Sequence, residues 1–238
     1  GAVINLAGAP LAHLPWTSRY KAELLDSRVE TTRALAEAMN MASRPPSVFL
    51  NASAVGYYGD RPGERLTESS TKGSGFLPDL VKSWEQAAQF RPAKTRLVTF
   101  RTGLVLARGG ALSPLMTLTR LGLGSRLATG GDIWPWISLH DEVAAIRHLL
   151  HSQLSGVVNL AGPTPASSDR ITSYLSRRMR RWYPFTVPAW AIALAMQEAG
   201  PELLLSSQKI LPEKLLADGF SFRHPTAQQA IDVLLENR

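Results

Sequence analysis

The 238-residue sequence has no cysteine, which excludes disulfides, thiolate metal sites and a cysteine nucleophile, and fits a cytoplasmic setting. Long apolar runs are absent too. The longest, residues 189–196, falls far short of the ~20 residues a membrane span needs. No basic-then-apolar leader with a small-residue cleavage site is visible, so no membrane partner is expected. Acidic residues are few: 19 against 26 basic ones, a net charge of +7 and a pI near 10.0. Such a balance raises nucleic acid as a partner. The densest cluster, however, is Arg177, Arg178, Arg180 and Arg181, at the end of a helix opened by Ser167-Ser168-Asp169. Cations there are favoured by ~0.3–1 kcal/mol each through the helix dipole. No helix-turn-helix or aromatic-plus-basic repeat accompanies them. No nucleic-acid partner is therefore expected, and docking of an anionic small molecule is the second reading of the cluster.

Catalytic signatures are sparse as well. There is no H-E-x-x-H and no G-x-S-x-G. The five histidines, His13, His140, His148, His151 and His224, are scattered. His148 and His151 are three apart on one helix but lack a third ligand, so no metal is expected. Gly122-Leu123-Gly124 looks like part of a dinucleotide fingerprint, yet it lacks the third glycine and follows a helix instead of a strand. Arg126 beside it is a candidate contact for a substrate anion.

What is present is an ordinary globular composition, 45% hydrophobic and 19% charged, with short β-branched runs alternating with helical stretches. That alternation predicts an α/β fold with a doubly wound parallel sheet. Strands are expected at residues 2–6, 47–52, 96–101 and 157–160, with a short one at 136–139. Helices are expected at 19–41, 77–90, 112–121 and 141–151. Residues 1–162 read as one domain and 163–238 as a smaller, helix-rich lobe. A parallel sheet covered on both faces usually has five or more strands. The chain opens inside a strand-like run with no start Met, so further strands are expected ahead of Gly1.

Three strands end in small or polar residues. Asn5-Leu6-Ala7-Gly8 closes the first, Asn51-Ala52-Ser53-Ala54-Val55-Gly56-Tyr57-Tyr58-Gly59-Asp60 the second, and Arg101-Thr102-Gly103-Leu104-Val105-Leu106 the third. Open α/β sheets bind ligands in the crevice outside such strand ends, where small residues let a ligand approach the backbone. Each segment alone could be a plain turn, and Arg101 could equally be half of a salt bridge. Together they outline a crevice.

In this order, N-L-A-G, S-A-V-G-Y-Y-G-D, F-R-T-G-L-V-L and W-I-S-L-H-D-E-V, with the C-terminal stretches Glu202–Pro212 and Leu215–Pro225, resemble the extended short-chain dehydrogenases/reductases. More narrowly they resemble the atypical NAD(P)-dependent, nucleotide-sugar-epimerase-like branch with a short C-terminal domain. The resemblance implies a Rossmann-like fold and an NADP cofactor, NAD being the alternative. It places Asn5, Leu6, Ala7 and Gly8 beside the adenine-ribose and diphosphate. It places Ala52, Ser53, Arg101, Thr102, Gly103, Leu104 and Val105 along the nicotinamide end, and Trp136 near the substrate mouth. It also implies a small-molecule substrate and leaves room for a homodimer.

Two departures stand out. The family's G-x-x-G-x-x-G loop, which sets backbone N–H groups against the pyrophosphate, is not in these 238 residues. About 50–60 residues are expected ahead of Gly1, from the usual length of a strand–helix unit; without them dinucleotide binding should be poor. Nor is any Tyr followed four residues later by Lys, the pair in which the cation readies the phenol for proton exchange. Alignment on Trp84-Glu85 sets Leu77 and Val81 in those places, with Lys82 about 100° around the helix. Arg28 replaces the family's helix Asn, and Ser53 falls one residue early. Ser53 and Tyr57 are the expected catalytic residues, with Tyr58 the rival and Tyr57, Arg126 and Trp136 facing substrate. An NAD(P)-dependent epimerase or reductase acting on a sugar nucleotide or other small carbonyl or alcohol is one reading. A dinucleotide-binding regulator or scaffold with degenerate catalysis is the other.

Overall fold

The computed structural model describes residues 1–110 and 112–236. Its centre is a parallel sheet in the order β1-β2-β4-β9, formed by β1 (Ala2–Asn5), β2 (Val48–Ala54), β4 (Arg96–Thr102) and β9 (Gly156–Leu160). Between β2 and β4 lies a two-residue strand, β3 (Arg65–Leu66). Register pairs Asn5 with Asn51, Ser53 with Arg101, and Thr102 with Leu160, so the polar strand ends predicted from sequence stand side by side.

Side chains alternate between the two faces of the sheet, as the two-residue period of a strand requires. Phe49 and Leu97 pack with Ala36, Met39 and Ala88 on one face. Leu50, Val98 and Phe100 pack with Ala145 and Leu149 on the other. The first face carries α1 (Ser18–Met41) and α2 (Phe76–Ala87), the second α4 (Leu139–His151). Helix starts follow their capping residues: Thr17 accepts from Tyr20 N at the head of α1, and Ser138 from Asp141 N at the head of α4. Both satisfy a backbone donor that has no partner within its helix.

After β4 the chain makes β5 (Leu104–Leu106), α3 (Ser113–Arg120), β6 (Ser125–Leu127), β7 (Ile133–Trp134) and β8 (Trp136–Ser138). Beyond β9 come β10 (Ala166–Ser167), α5 (Ser168–Arg178), β11 (Phe185–Val187), α6 (Ala189–Met196), α7 (Ala199–Leu204), β12 (Lys209–Ile210), α8 (Glu213–Ala217) and α9 (Ala227–Glu236). The three short strands after residue 163 pair with earlier ones: β10 with β7, β11 with β6 and β12 with β3. Too short to show a period of two, these strands leave no trace in the sequence pattern. A core of Leu106, Leu112, Met116, Trp134, Ile171, Leu175, Ile231 and Leu234 spans both parts of the chain. Glu202, on α7, accepts from Phe76 N at 2.9 Å and Leu77 N at 2.8 Å. A carboxylate from the C-terminal part thus caps α2 and fixes where that helix begins.

Candidate active site

Two buried polar clusters occupy the α1/α2 face at the carboxyl ends of the strands. The first joins four elements. Asn5 Nδ2 donates to Thr32 Oγ1 and Asn51 Oδ1, and Trp84 Nε1 donates to Thr32 Oγ1 at 3.0 Å. Asn5 Oδ1 accepts from Ala7 N at 3.1 Å, so Asn5 shapes the turn that follows it. Arg28 is buried beneath that turn, donating to Leu24 O and Ala9 O. A Cβ built on Gly8 would lie 3.0 Å from its guanidinium carbon, so glycine lets the turn settle on Arg28. Leu6 is 65% exposed at the mouth.

The second cluster is charged. Glu85 on α2 binds Arg101 in a bidentate pair, Nε to Oε1 at 2.7 Å and Nη2 to Oε2 at 2.8 Å, and accepts from Ser53 Oγ at 2.6 Å. Arg101 is 3% exposed. Burial alone would lower its pKa, but the bonds to Glu85 outweigh that and raise it, so the guanidinium stays charged. Its carbon lies 3.4 Å from the centroid of the Tyr57 ring, a cation–π contact. Tyr57 itself is half-buried.

Tyr58 is a different case. It is fully buried, burial raises its pKa, and its hydroxyl donates to Asn159 Oδ1 at 2.7 Å. Of the two phenols, Tyr57 is the one that is not fully buried.

Beyond Arg101 the strand crosses over at Gly103, where a Cβ would fall 1.9 Å from Pro135 O; only glycine fits so close a backbone approach. Thr102 through Val105 are half-buried along the rim, and Ala52 is buried between Ser53 and Asn51.

Two expected substrate residues lie elsewhere. Trp136 is a correction: it is 1% exposed, donates from Nε1 to Thr164 O at 3.0 Å and packs its ring on Gly162, so it is a core residue. Arg126 is exposed on β6, with Nε held by Asp169 Oδ1 at 2.9 Å, and makes no hydrogen bond to either cluster among the described residues.

Sequence reasoning missed Glu85. The signal was available: Leu77, Val81 and Glu85 are spaced by four, so they share one helical stripe, and a carboxylate on a stripe otherwise apolar needs a buried partner. It also missed that the fold gathers His140, Asp141 and His224 with potential ligand atoms within 4.8 Å. There both Asp141 oxygens already accept bonds, Oδ1 from Arg223 N and Oδ2 from Ser138 Oγ and His224 N. Those bonds hold Asp141 below the ordinary carboxylate range against the opposing effect of burial. Asp141 thus clamps the 223–224 segment to the head of α4.

Comparison with known proteins fits this geometry. Residues 1–78 match the NAD dependent epimerase/dehydratase family, and residues 187–234 match a domain of unknown function, DUF1731. An epimerase family protein of Mycobacterium leprae, ML0860, is 39% identical over 235 residues, spanning 97% of this chain and 75% of that protein. This chain belongs to the epimerase family. Another member, MW0731 of Staphylococcus aureus, is 35% identical over 98% of this chain and 79% of its own length. The human epimerase family protein SDR39U1 (isoform 2), crystallised with NADPH, superposes with a TM-score of 0.95 at 30% identity over 100% of this chain and 82% of that one. The epimerase-family chain therefore has the Rossmann-like fold of the extended short-chain dehydrogenases/reductases, as its motifs implied. No described helix is long and apolar enough to cross a membrane.

Proposed function

We propose that this epimerase-family protein is an NADP-dependent epimerase or reductase acting on a small carbonyl or alcohol, a sugar nucleotide being one such class. The observation that carries this reading is the Ser53–Glu85–Arg101–Tyr57 cluster, which sets a hydroxyl, a fixed cation and an accessible phenol at adjoining strand ends. NADPH in the human relative supports the choice of cofactor. The residues fit a dinucleotide laid along the edge. Exposed Leu6, Ala7 and Gly8 offer an open backbone turn, and Ala52, Ser53 and Thr102 to Val105 offer a rim low enough for close approach.

A bound nicotinamide supplies or accepts hydride; the chain supplies the rest. The Tyr57 phenol exchanges a proton with the substrate oxygen. Arg101, fixed by Glu85 and stacked on the Tyr57 ring, stabilises negative charge as it develops there. Ser53, held on Glu85, borders the substrate oxygen. Residues 1–162 form the cofactor-binding part and 163–238 the substrate-side lobe in this reading, and a cytoplasmic setting is proposed with it.

The test uses protein expressed from its natural gene, a panel of carbonyl and sugar-nucleotide compounds, and NADP(H) or NAD(H). Tyr57→Phe should lower turnover at least ~100-fold, the usual worth of a positioned acid–base group, while its unfolding midpoint stays near that of the parent. Tight cofactor binding with no turnover across the panel would instead favour a non-catalytic role, and turnover unaffected by Tyr57→Phe would remove the phenol from the chemistry.

A further inference from the structure

A second hollow lies away from the strand ends, between α3, α5 and α9. It encloses about 450 Å³ and is lined by Arg108, Arg120, Arg178 and Arg181 around an apolar floor of Met179 and Leu235. The four arginines come from three places in the chain: Arg108 from the turn after β5, Arg120 from the last turn of α3, and Arg178 and Arg181 from the end of α5 and the segment just beyond it. A helix-dipole argument covers Arg120 and Arg178, each at the end of its own helix. It does not cover Arg108.

Among the described residues, only one of the four is neutralised. Arg178 binds Asp232 Oδ1 at 2.5 Å and lies 3.7 Å from Glu236 Oε1. Arg108 spends its Nε on Leu234 O at 3.1 Å, which anchors the side chain, and neither terminal nitrogen has a partner among the described residues. Arg120 and Arg181 make no ion pair among those residues.

The backbone also pays attention to Arg181. Arg180 N donates to Arg177 O and Arg181 N to Ser176 O, with Arg180 at φ 55°. That left-handed position at a helix end normally takes glycine, so a non-glycine residue is held there in a strained conformation, and Arg181 follows directly from it.

We propose that this hollow is a binding site for a small phosphorylated molecule, its phosphate gripped by the unpaired guanidiniums and its less polar part resting on Met179 and Leu235. Arginine forks match phosphate oxygens in pairs and from several directions. Without an anion, like charges around one concavity repel. The volume suits a compact ligand of roughly mononucleotide size, below the ~300–1,000 Å³ range's upper end. The proposal stands apart from the cofactor reading, since none of the lining residues lies at the ends of β1, β2 or β4.

Inorganic pyrophosphate is the probe, titrated calorimetrically into the whole protein at low ionic strength, with citrate as the comparison anion. Saturable pyrophosphate binding is expected, weakening as salt is added. It should fall at least tenfold in the double variant Arg120→Ala/Arg181→Ala and remain within twofold in Arg44→Ala, an exposed arginine elsewhere. Both altered side chains are exposed, and unchanged thermal unfolding would confirm that the double variant is folded. Absence of saturable binding, equal affinity in parent and double variant, or an equal loss in Arg44→Ala would overturn the site. Citrate binding as tightly as pyrophosphate would overturn the phosphate assignment.

Discussion

Arg101 and Thr102 are neighbours on β4, and their side chains meet a buried glutamate on opposite faces of the sheet. On the α2 face, Glu85 has a guanidinium, bound twice, and the Ser53 hydroxyl. On the α4 face, Glu142 has, among the described residues, the Thr102 hydroxyl alone, at 2.7 Å, and its buried Oε2 has no partner among them. Burial pushes the Glu142 carboxyl up to about 7, against the smaller opposing effect of Thr102. The contrast shows what a buried carboxylate needs. The carboxylate with a matched cation orders the groups around it; the one with a single hydroxyl moves towards its neutral form. The ordered face is the one that borders the crevice.

Breaking the paired side should have the largest effect. Glu85→Gln leaves Arg101 buried without its counter-charge, and a broken buried pair costs about 3–5 kcal/mol. Chemical denaturation checks this. A cost below about 1 kcal/mol would mean that solvent reaches Arg101 and that the two faces do not differ as described. Replacing both partners, Glu85→Met with Arg101→Met, should recover much of the lost stability, because two apolar groups leave no unpaired charge.

The unpaired side should respond to pH. A carboxyl raised to about 7 in the fold binds its proton more tightly folded than unfolded. Its contribution to stability is full below about pH 4.5, the unfolded value, and is lost as pH rises through about 7. Glu142→Gln, which keeps a polar partner for Thr102, should therefore unfold like the parent near pH 4 and be more stable at pH 8, by at most about 3 kcal/mol. Unfolding midpoints measured across this range test it; equal midpoints at pH 8 would show that Glu142 is not carrying the penalty.

Smallest are the two hydroxyls. Ser53→Ala removes one bond to a charged acceptor that keeps two others, and should cost about 1 kcal/mol. Thr102→Val removes the one side-chain bond Glu142 makes among the described residues, so it should also steepen the loss of stability between pH 5 and 8. Matching pH profiles for the two variants would erase the distinction between the faces.

Much of this architecture was legible in the sequence. The strands at residues 2–5, 48–54, 96–102 and 156–160 each contain a short apolar or β-branched run, at 2–4, 48–50, 97–100 and 157–158, the pattern of a sheet covered on both faces. Asn5, Ser53 and Arg101 stood out because polar residues closed those runs. Lateral partnerships were not legible. Glu85 lies sixteen residues before Arg101, on a helix whose apolar stripe conceals one acid. Trp136 was misread because the family resemblance set its segment near the substrate mouth; only the fold shows Gly162 leaving room for its ring. Of the arginines of the second hollow, Arg178 and Arg181 belonged to a visible cluster, whereas Arg108 and Arg120 lie far from it in the chain.

The most direct measurement is a crystal structure of the protein, expressed from its natural gene, with NADPH bound. The expected result is a nicotinamide ring against Ala52, Ser53 and the Thr102–Val105 rim, with the Tyr57 phenol facing the open side of the ring. A nicotinamide lodged elsewhere, or Tyr57 turned away behind Arg101 when the cofactor is bound, would contradict the assignment of this edge as the active site.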